Sequence, residues 1–171
     1  MSAELSRTAF LRGGFGRRDA PIRPPWARDE AVFTDLCERC DACREACEAD
    51  IIATGRGGFP EMDSQAGGCS FCGRCAEACE SGALHRNGAA PWAIAARIGS
   101  GCLAVQGVVC RLCEEQCEPR AIRFRLALGG YALPEVDGEA CSGCGACVSH
   151  CPAQAIEMKR EKKGAMQGAC A

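Results

Sequence analysis

Residues 141–152 read CSGCGACVSHCP, which places cysteines at Cys141, Cys144, Cys147 and Cys151 and a proline at Pro152. The spacing C-x2-C-x2-C-x3-C recurs without deviation at Cys37, Cys40, Cys43, Cys47 and at Cys69, Cys72, Cys75, Cys79. A further group, Cys102, Cys110, Cys113, Cys117, keeps the C-x2-C-x3-C ending but opens with a seven-residue gap. The first two groups start 32 residues apart and Cys110 precedes Cys141 by 31, so the chain is built from a recurring unit. Of 17 cysteines in 171 residues, only Cys170 falls outside the four groups.

With those cysteines set aside, the 47% hydrophobic share is modest, and six Phe, two Trp and one Tyr are too few to fill an ordinary core. Small units with thin cores need disulfides, metals or partners to be stable. The spacing points to metal. Three thiolates at i, i+3 and i+6 on one tight loop can each reach a different iron of a 4Fe-4S cubane, and the fourth ligand comes from elsewhere. In two-cluster ferredoxins the fourth cysteine of each run serves the other cluster, so one motif implies a partner. Zinc sites instead use separated pairs. Disulfides require an oxidising compartment, and no export signal is visible. A missing second cysteine would indicate a 3Fe-4S centre, and every group has its second cysteine. The expected cofactors are therefore four 4Fe-4S clusters.

Two pairings fit. The tandem solution joins the first group to the second and the third to the fourth, giving clusters on Cys37, Cys40, Cys43 with Cys79; Cys69, Cys72, Cys75 with Cys47; Cys102, Cys110, Cys113 with Cys151; and Cys141, Cys144, Cys147 with Cys117. The nested solution, second with third and first with fourth, fits almost as well. Tandem pairing is preferred because sequential units are usually neighbours in space. Short runs of helix formers follow each third cysteine, apolar pieces follow at Ile51–Ile52, Ala121–Phe124 and Ala155–Met158, and Gly129-Gly130 reads as a hairpin turn between 122–128 and 131–136. The expected fold class is α+β: two bacterial-ferredoxin-like 4Fe-4S units in tandem, with short helices, small hairpins and flexible N- and C-terminal arms. Expected boundaries are an arm over 1–33, a first two-cluster unit over 34–96, a second over 97–158 and a tail over 159–171.

The formal net charge is -2, and about -2 for each oxidised cluster with its thiolates takes the loaded protein to about -10. No broad basic face is needed to explain the 20 Lys and Arg, which argues against a nucleic-acid partner. Basic residues gather at the ends, Arg7, Arg12, Arg17, Arg18, Arg23 and Arg28 at one and Lys159, Arg160, Lys162 and Lys163 at the other, and read as solvated or as contacts for an acidic partner. Glu48, Glu80 and Glu118 stand where the bacterial motif has proline; a carboxylate there would lower a cluster's potential, though a solvated surface role is the plainer reading. His85 and His150 read as surface or turn residues, and Cys170 as a spare thiol in the tail. No stretch is long enough for a membrane span.

On Arg23-Pro-Pro-Trp26, the cysteine run 37–43, the long opening at Cys102, the Cys110–Cys113 and Cys117–Pro119 segments and the run 141–147, the chain resembles the NapF family of ferredoxin-type proteins, which belong to the periplasmic nitrate reductase system. The resemblance covers most of the chain. It implies a cytoplasmic accessory factor whose partner is the catalytic subunit of periplasmic nitrate reductase in its precursor form, met before export, and whose task is to assist maturation of that subunit's iron-sulfur centre. The start, Ser6 to Leu11, looks like a degraded twin-arginine signal, with Thr8 where a second arginine belongs and no apolar segment behind it, so no export is expected. Trp26 is the best contact candidate in the arm, with packing onto the first unit as the competing role. No nucleophile, nucleotide loop or substrate pocket is legible, so no enzyme is expected. The rival function is a general one-electron carrier between soluble redox partners. Oligomeric state is left open.

Overall fold

The computed structural model describes residues 21–88, 91–127 and 130–160. In order along the chain lie α1 (Glu30–Leu36), α2 (Ala42–Glu45), β1 (Ile52–Thr54), β2 (Pro60–Met62), α3 (Arg74–Glu77), β3 (Ile94–Ile98), α4 (Leu112–Glu115), β4 (Ile122–Leu126), β5 (Ala132–Val136), α5 (Ala146–Ser149) and β6 (Ile156–Arg160). Small helices and two-stranded sheets alternate, an α+β arrangement.

One local pattern repeats four times. A single helical turn, α2, α3, α4 or α5, carries the third cysteine of its group. Three residues beyond the fourth cysteine the backbone turns left-handed, at Asp50 (φ 50°), Gly82 (φ 70°), Arg120 (φ 53°) and Gln154 (φ 47°). Two residues later comes a buried aliphatic side chain: Ile52, Leu84, Ile122 and Ile156, each no more than 3% exposed. The left-handed residue reverses the chain so that this side chain faces back toward the cysteine loops, and three of the four positions accept the strain without glycine.

Each returning piece finds an antiparallel partner. Ile52–Thr54 pairs with Pro60–Met62, and Ile122–Leu126 with Ala132–Val136, Ile122 opposite Val136 and Leu126 opposite Ala132. The second of these is the hairpin expected from sequence; Leu128 and Gly129 lie outside the described residues. The other two pieces pair with chain that precedes their unit: Leu84 bridges Ala27, and β6 pairs with β3, Ile98 opposite Ile156. Two cores result. One gathers Trp26, Phe33, Ile52, Cys75, Ala83 and Leu84; the other gathers Ala96, Cys113, Ile122, Cys147, Val148 and Ile156.

This pairing draws in chain on both sides of the expected units. The described part of the N-terminal arm, from residue 21, is packed: Pro24, Pro25 and Phe33 are fully buried, and Trp26 is 8% exposed, its backbone N–H donating to the Pro91 carbonyl at 2.7 Å. Arg23, read as an end charge, is buried and paired with Glu30. Arg28 donates to the Gly82 carbonyl at 2.8 Å. The second half begins with β3, upstream of residue 97, and ends with β6, so strand structure continues through Arg160 into the expected tail. The physical reason is the same in both halves: the last apolar piece of each needs a hydrogen-bonding partner, and the preceding chain supplies one. Residues 1–20 and 161–171, with Arg7, Arg12, Arg17, Arg18, Lys162, Lys163 and Cys170, lie outside the described residues. Among those described, no helix is long and apolar enough to cross a membrane.

Candidate metal centres

Around the three regular cysteine loops the backbone is held open by paired left-handed residues, Arg39 with Asp41, Phe71 with Gly73 and Gly143 with Gly145. Alternating hand turns successive Cα–Cβ bonds inward, so a seven-residue loop presents three sulfurs to one concavity. The third group lacks this device. There residues 103–109 form a turn closed by the Val108 N–H on the Leu103 carbonyl at 2.8 Å, which leaves Cys102 buried next to Cys110 and Cys113, with Val109 outside at 93% exposed.

The fourth cysteines cross over between groups. Burial first, then the neighbouring thiols of Cys37, Cys79 and Cys40, push the Cys43 thiol up from 9.0 to about 11. Burial and then Cys69 push Cys75 up to about 12, with Cys43 and Cys47 adding smaller effects. Cys113 is likewise pushed up to about 12 by burial and then by Cys102 and Cys110, with Cys151 beyond them. For Cys147, also raised to about 12, burial leads, followed by Cys141, Cys144, Cys113 and Cys117. Two small pockets show the same grouping. Cys47, Cys69, Cys72 and Cys75 line one together with Trp26, Ile52 and Met62. Cys102, Cys110, Cys113 and Cys151 line another together with Ile98, Phe124 and Ile156.

Four thiols crowded together, with Cys75, Cys102, Cys113 and Cys147 buried among them, are costly as thiolates, each raising the next, unless cations stand between them. A 4Fe-4S cubane takes one thiolate on each of its four irons, and each quartet brings together four thiols, three from one loop and one from another, so the donor sets fit a cluster.

The comparisons with known proteins agree with this chemistry. A 4Fe-4S binding domain family matches residues 134–157, the segment that carries the last cysteine group. Over 156 residues the chain is 42% identical to the ferredoxin-type protein NapF of Escherichia coli K12, covering 91% of this chain and 95% of that protein. The chain belongs to the ferredoxin-type NapF family. The NapF of Haemophilus influenzae is 40% identical over 169 residues, covering 93% and 96%. The ferredoxin-type protein NapG of Escherichia coli K12 is 34% identical over 151 residues, covering 76% of this chain and 65% of NapG.

In this NapF-family chain the sulfurs of three of the four fourth cysteines also receive hydrogen bonds that the motif does not announce. The Leu84 N–H donates to Cys79 Sγ at 3.3 Å, Ala121 to Cys117 Sγ at 3.2 Å and Ala155 to Cys151 Sγ at 3.4 Å. Each donor lies just past the left-handed residue, so the same turn that returns the strand aims an amide at the sulfur. Cys69 Sγ accepts from the Phe71 N–H at 3.3 Å, and Cys79 Sγ stands 3.6 Å from Ser81 Oγ. Donors to ligand sulfurs stabilise negative charge and so tune a cluster's potential. Ser81 was missed because the equivalent positions are Ala49, Pro119 and Ala153, and no pattern marks it. Glu48, one of the three carboxylates singled out from sequence, is ion-paired with Arg74 of the second loop, which offsets its charge. His85 and His150 are exposed, as expected.

Proposed function

We propose that the chain holds four 4Fe-4S clusters. Their ligands are Cys37, Cys40, Cys43 with Cys79 (site 1); Cys69, Cys72, Cys75 with Cys47 (site 2); Cys102, Cys110, Cys113 with Cys151 (site 3); and Cys141, Cys144, Cys147 with Cys117 (site 4). When bound, the clusters supply one-electron chemistry; the chain supplies thiolates, burial and amide donors. The protein works in the cytoplasm as an accessory factor, not an enzyme. It binds the precursor of the catalytic subunit of periplasmic nitrate reductase before export and assists maturation of that subunit's iron-sulfur centre, by donating a cluster or electrons. One observation carries this reading: the 42% identity with NapF extends over 91% of the chain, far beyond the cysteine motifs that any ferredoxin shares.

Iron-55 carried from anaerobically purified holo-protein into the cluster-free precursor tests it. Transfer of label is the expected result for cluster donation. Binding without transfer makes the contribution electrons, and absence of binding leaves a general one-electron carrier as the function.

A further inference from the structure

The two halves of the molecule meet at two cysteines. The backbone N–H of Cys69 donates to the carbonyl of Cys144 at 2.7 Å. Contacts on both sides of that bond close the gap between the second and fourth loops. A Cβ added at Gly68 would lie 2.7 Å from the Ala146 Cβ and 3.1 Å from its backbone nitrogen, and one added at Gly145 would lie 3.0 Å from Ser64 Oγ. Trp92, in the segment joining the halves, packs edge-on against Phe71 of the second loop at 5.8 Å between ring centroids. Its Nε1–H donates to the Ser142 carbonyl of the fourth loop at 3.3 Å. The loops are therefore joined at their ligand residues, with glycine where any side chain would separate them.

Within each half, contact follows the helices. The turn carrying Cys43 packs on the turn carrying Cys75, and the turn carrying Cys113 on the one carrying Cys147. Site 1 thus adjoins site 2, and site 3 adjoins site 4.

We propose that the Cys69 N–H···O=C Cys144 hydrogen bond is the electron junction between the two halves, so that electrons run in the spatial order site 1, site 2, site 4, site 3, not in the order of the sequence. The inference rests on the cluster assignment above. A ligand of site 2 is linked to a ligand of site 4 through covalent bonds and one short hydrogen bond, and tunnelling weakens steeply with every gap a path must cross. In the step at the junction, one electron leaves the cluster at site 2, which returns to its oxidised form, and enters the cluster at site 4, which is reduced. No bond breaks and no proton moves. A one-electron reductant supplies site 1 and a one-electron acceptor drains site 3; exchanging the two reverses every step.

Electron paramagnetic resonance of the dithionite-reduced holo-protein tests the order, with iron content measured on the same samples. The double variant C40S/C110S removes sites 1 and 3; it is expected to keep half the iron and show two clusters whose signals broaden each other. C72S/C141S removes sites 2 and 4 and is expected to keep half the iron with two narrow, independent signals. Independent signals in the first, or mutual broadening in the second, overturn the junction. Iron that does not fall by half in both overturns the cluster assignment and the junction with it. G68L leaves every ligand in place and keeps the test decisive should a double variant fail to fold. It is expected to hold the wild-type iron content while the interaction between halves is lost, and a spectrum unchanged from wild type overturns the proposal.

Discussion

Arg23 grips Glu30 with both ends of its guanidinium, Nη2 to Oε1 at 2.7 Å and Nε to Oε2 at 3.1 Å, while only 7% of the arginine is exposed. Its other terminal nitrogen donates to the Pro60 carbonyl at 3.1 Å, and its guanidinium lies 5.1 Å from the centroid of Phe33 and 5.4 Å from that of Phe59. The planar fork and the weak hydration of arginine suit it to a site that is half ion pair and half aromatic stack. One side chain thereby fixes the N-terminal segment to β2 and to α1.

Replacing Arg23 by Leu leaves the Pro60 carbonyl without its buried donor, while the partly exposed Glu30 returns to water. The expected loss of stability is about 1–3 kcal/mol. Phe33→Ala, at a residue with no exposure, is expected to cost about 3–5 kcal/mol. Thermal unfolding of the holo-protein, followed together with iron release, measures both; a Phe33→Ala midpoint equal to wild type would show that α1 is not part of the first core.

The proposed crossing of ligands gives a pairing rule that spectroscopy can read. Cys47→Ser is expected to abolish the same resonance as Cys72→Ser, although Cys47 lies in the first motif. Cys79→Ser is expected to abolish the same resonance as Cys40→Ser. If Cys47→Ser instead matches Cys40→Ser, each motif keeps its own cluster and the crossing is wrong. Each loss should also loosen its half of the protein, because cluster binding contributes to folding.

Ser81 sets site 1 apart. Once Cys79 is a thiolate it can only accept, so the Ser81 hydroxyl at 3.6 Å is the donor, and the sulfur has the Leu84 amide as well. A donor favours the reduced, more negative state. Ser81→Ala is expected to lower the potential of site 1 by on the order of 30 mV and to leave the other three unchanged, as measured by redox titration. A rise, or an equal shift at all sites, would refute a local hydrogen bond.

The left-handed turns after the fourth cysteines predict two substitutions of opposite sign. Nothing stands within 4 Å of a Cβ added at Gly82, so Gly82→Ala meets only backbone strain and is expected to cost about 1 kcal/mol. Arg120 already bears that strain, and Arg120→Gly is expected to gain a few tenths to about 1 kcal/mol. Chemical denaturation of the two variants should displace the midpoint in opposite directions; a shift in the same direction would mean the turn conformation is not what limits stability.

Cysteine spacing by itself determined the chemistry, because three thiolates on one tight loop and a fourth beyond them are a local arrangement written in consecutive residues. The hairpin through Gly130 was legible for the same reason: its two strands and its turn are contiguous. Pairing was different. Tandem and nested arrangements use the same sixteen cysteines, and the neighbourhood of Cys43 with Cys79 and of Cys113 with Cys151 is what favours the tandem one. The place of residues 21–33 could not be read from Pro21, Pro24 and Pro25, which mark an extended segment equally well in an arm or in a core. The tertiary structure decided it, since Leu84 needed a partner strand and Ala27 supplied one. The same holds for Gly68, an ordinary turn residue until Ala146 is set against it. Contacts between residues far apart in the chain depend on which surfaces remain unsatisfied after local structure has formed, and spacing along the sequence does not record them.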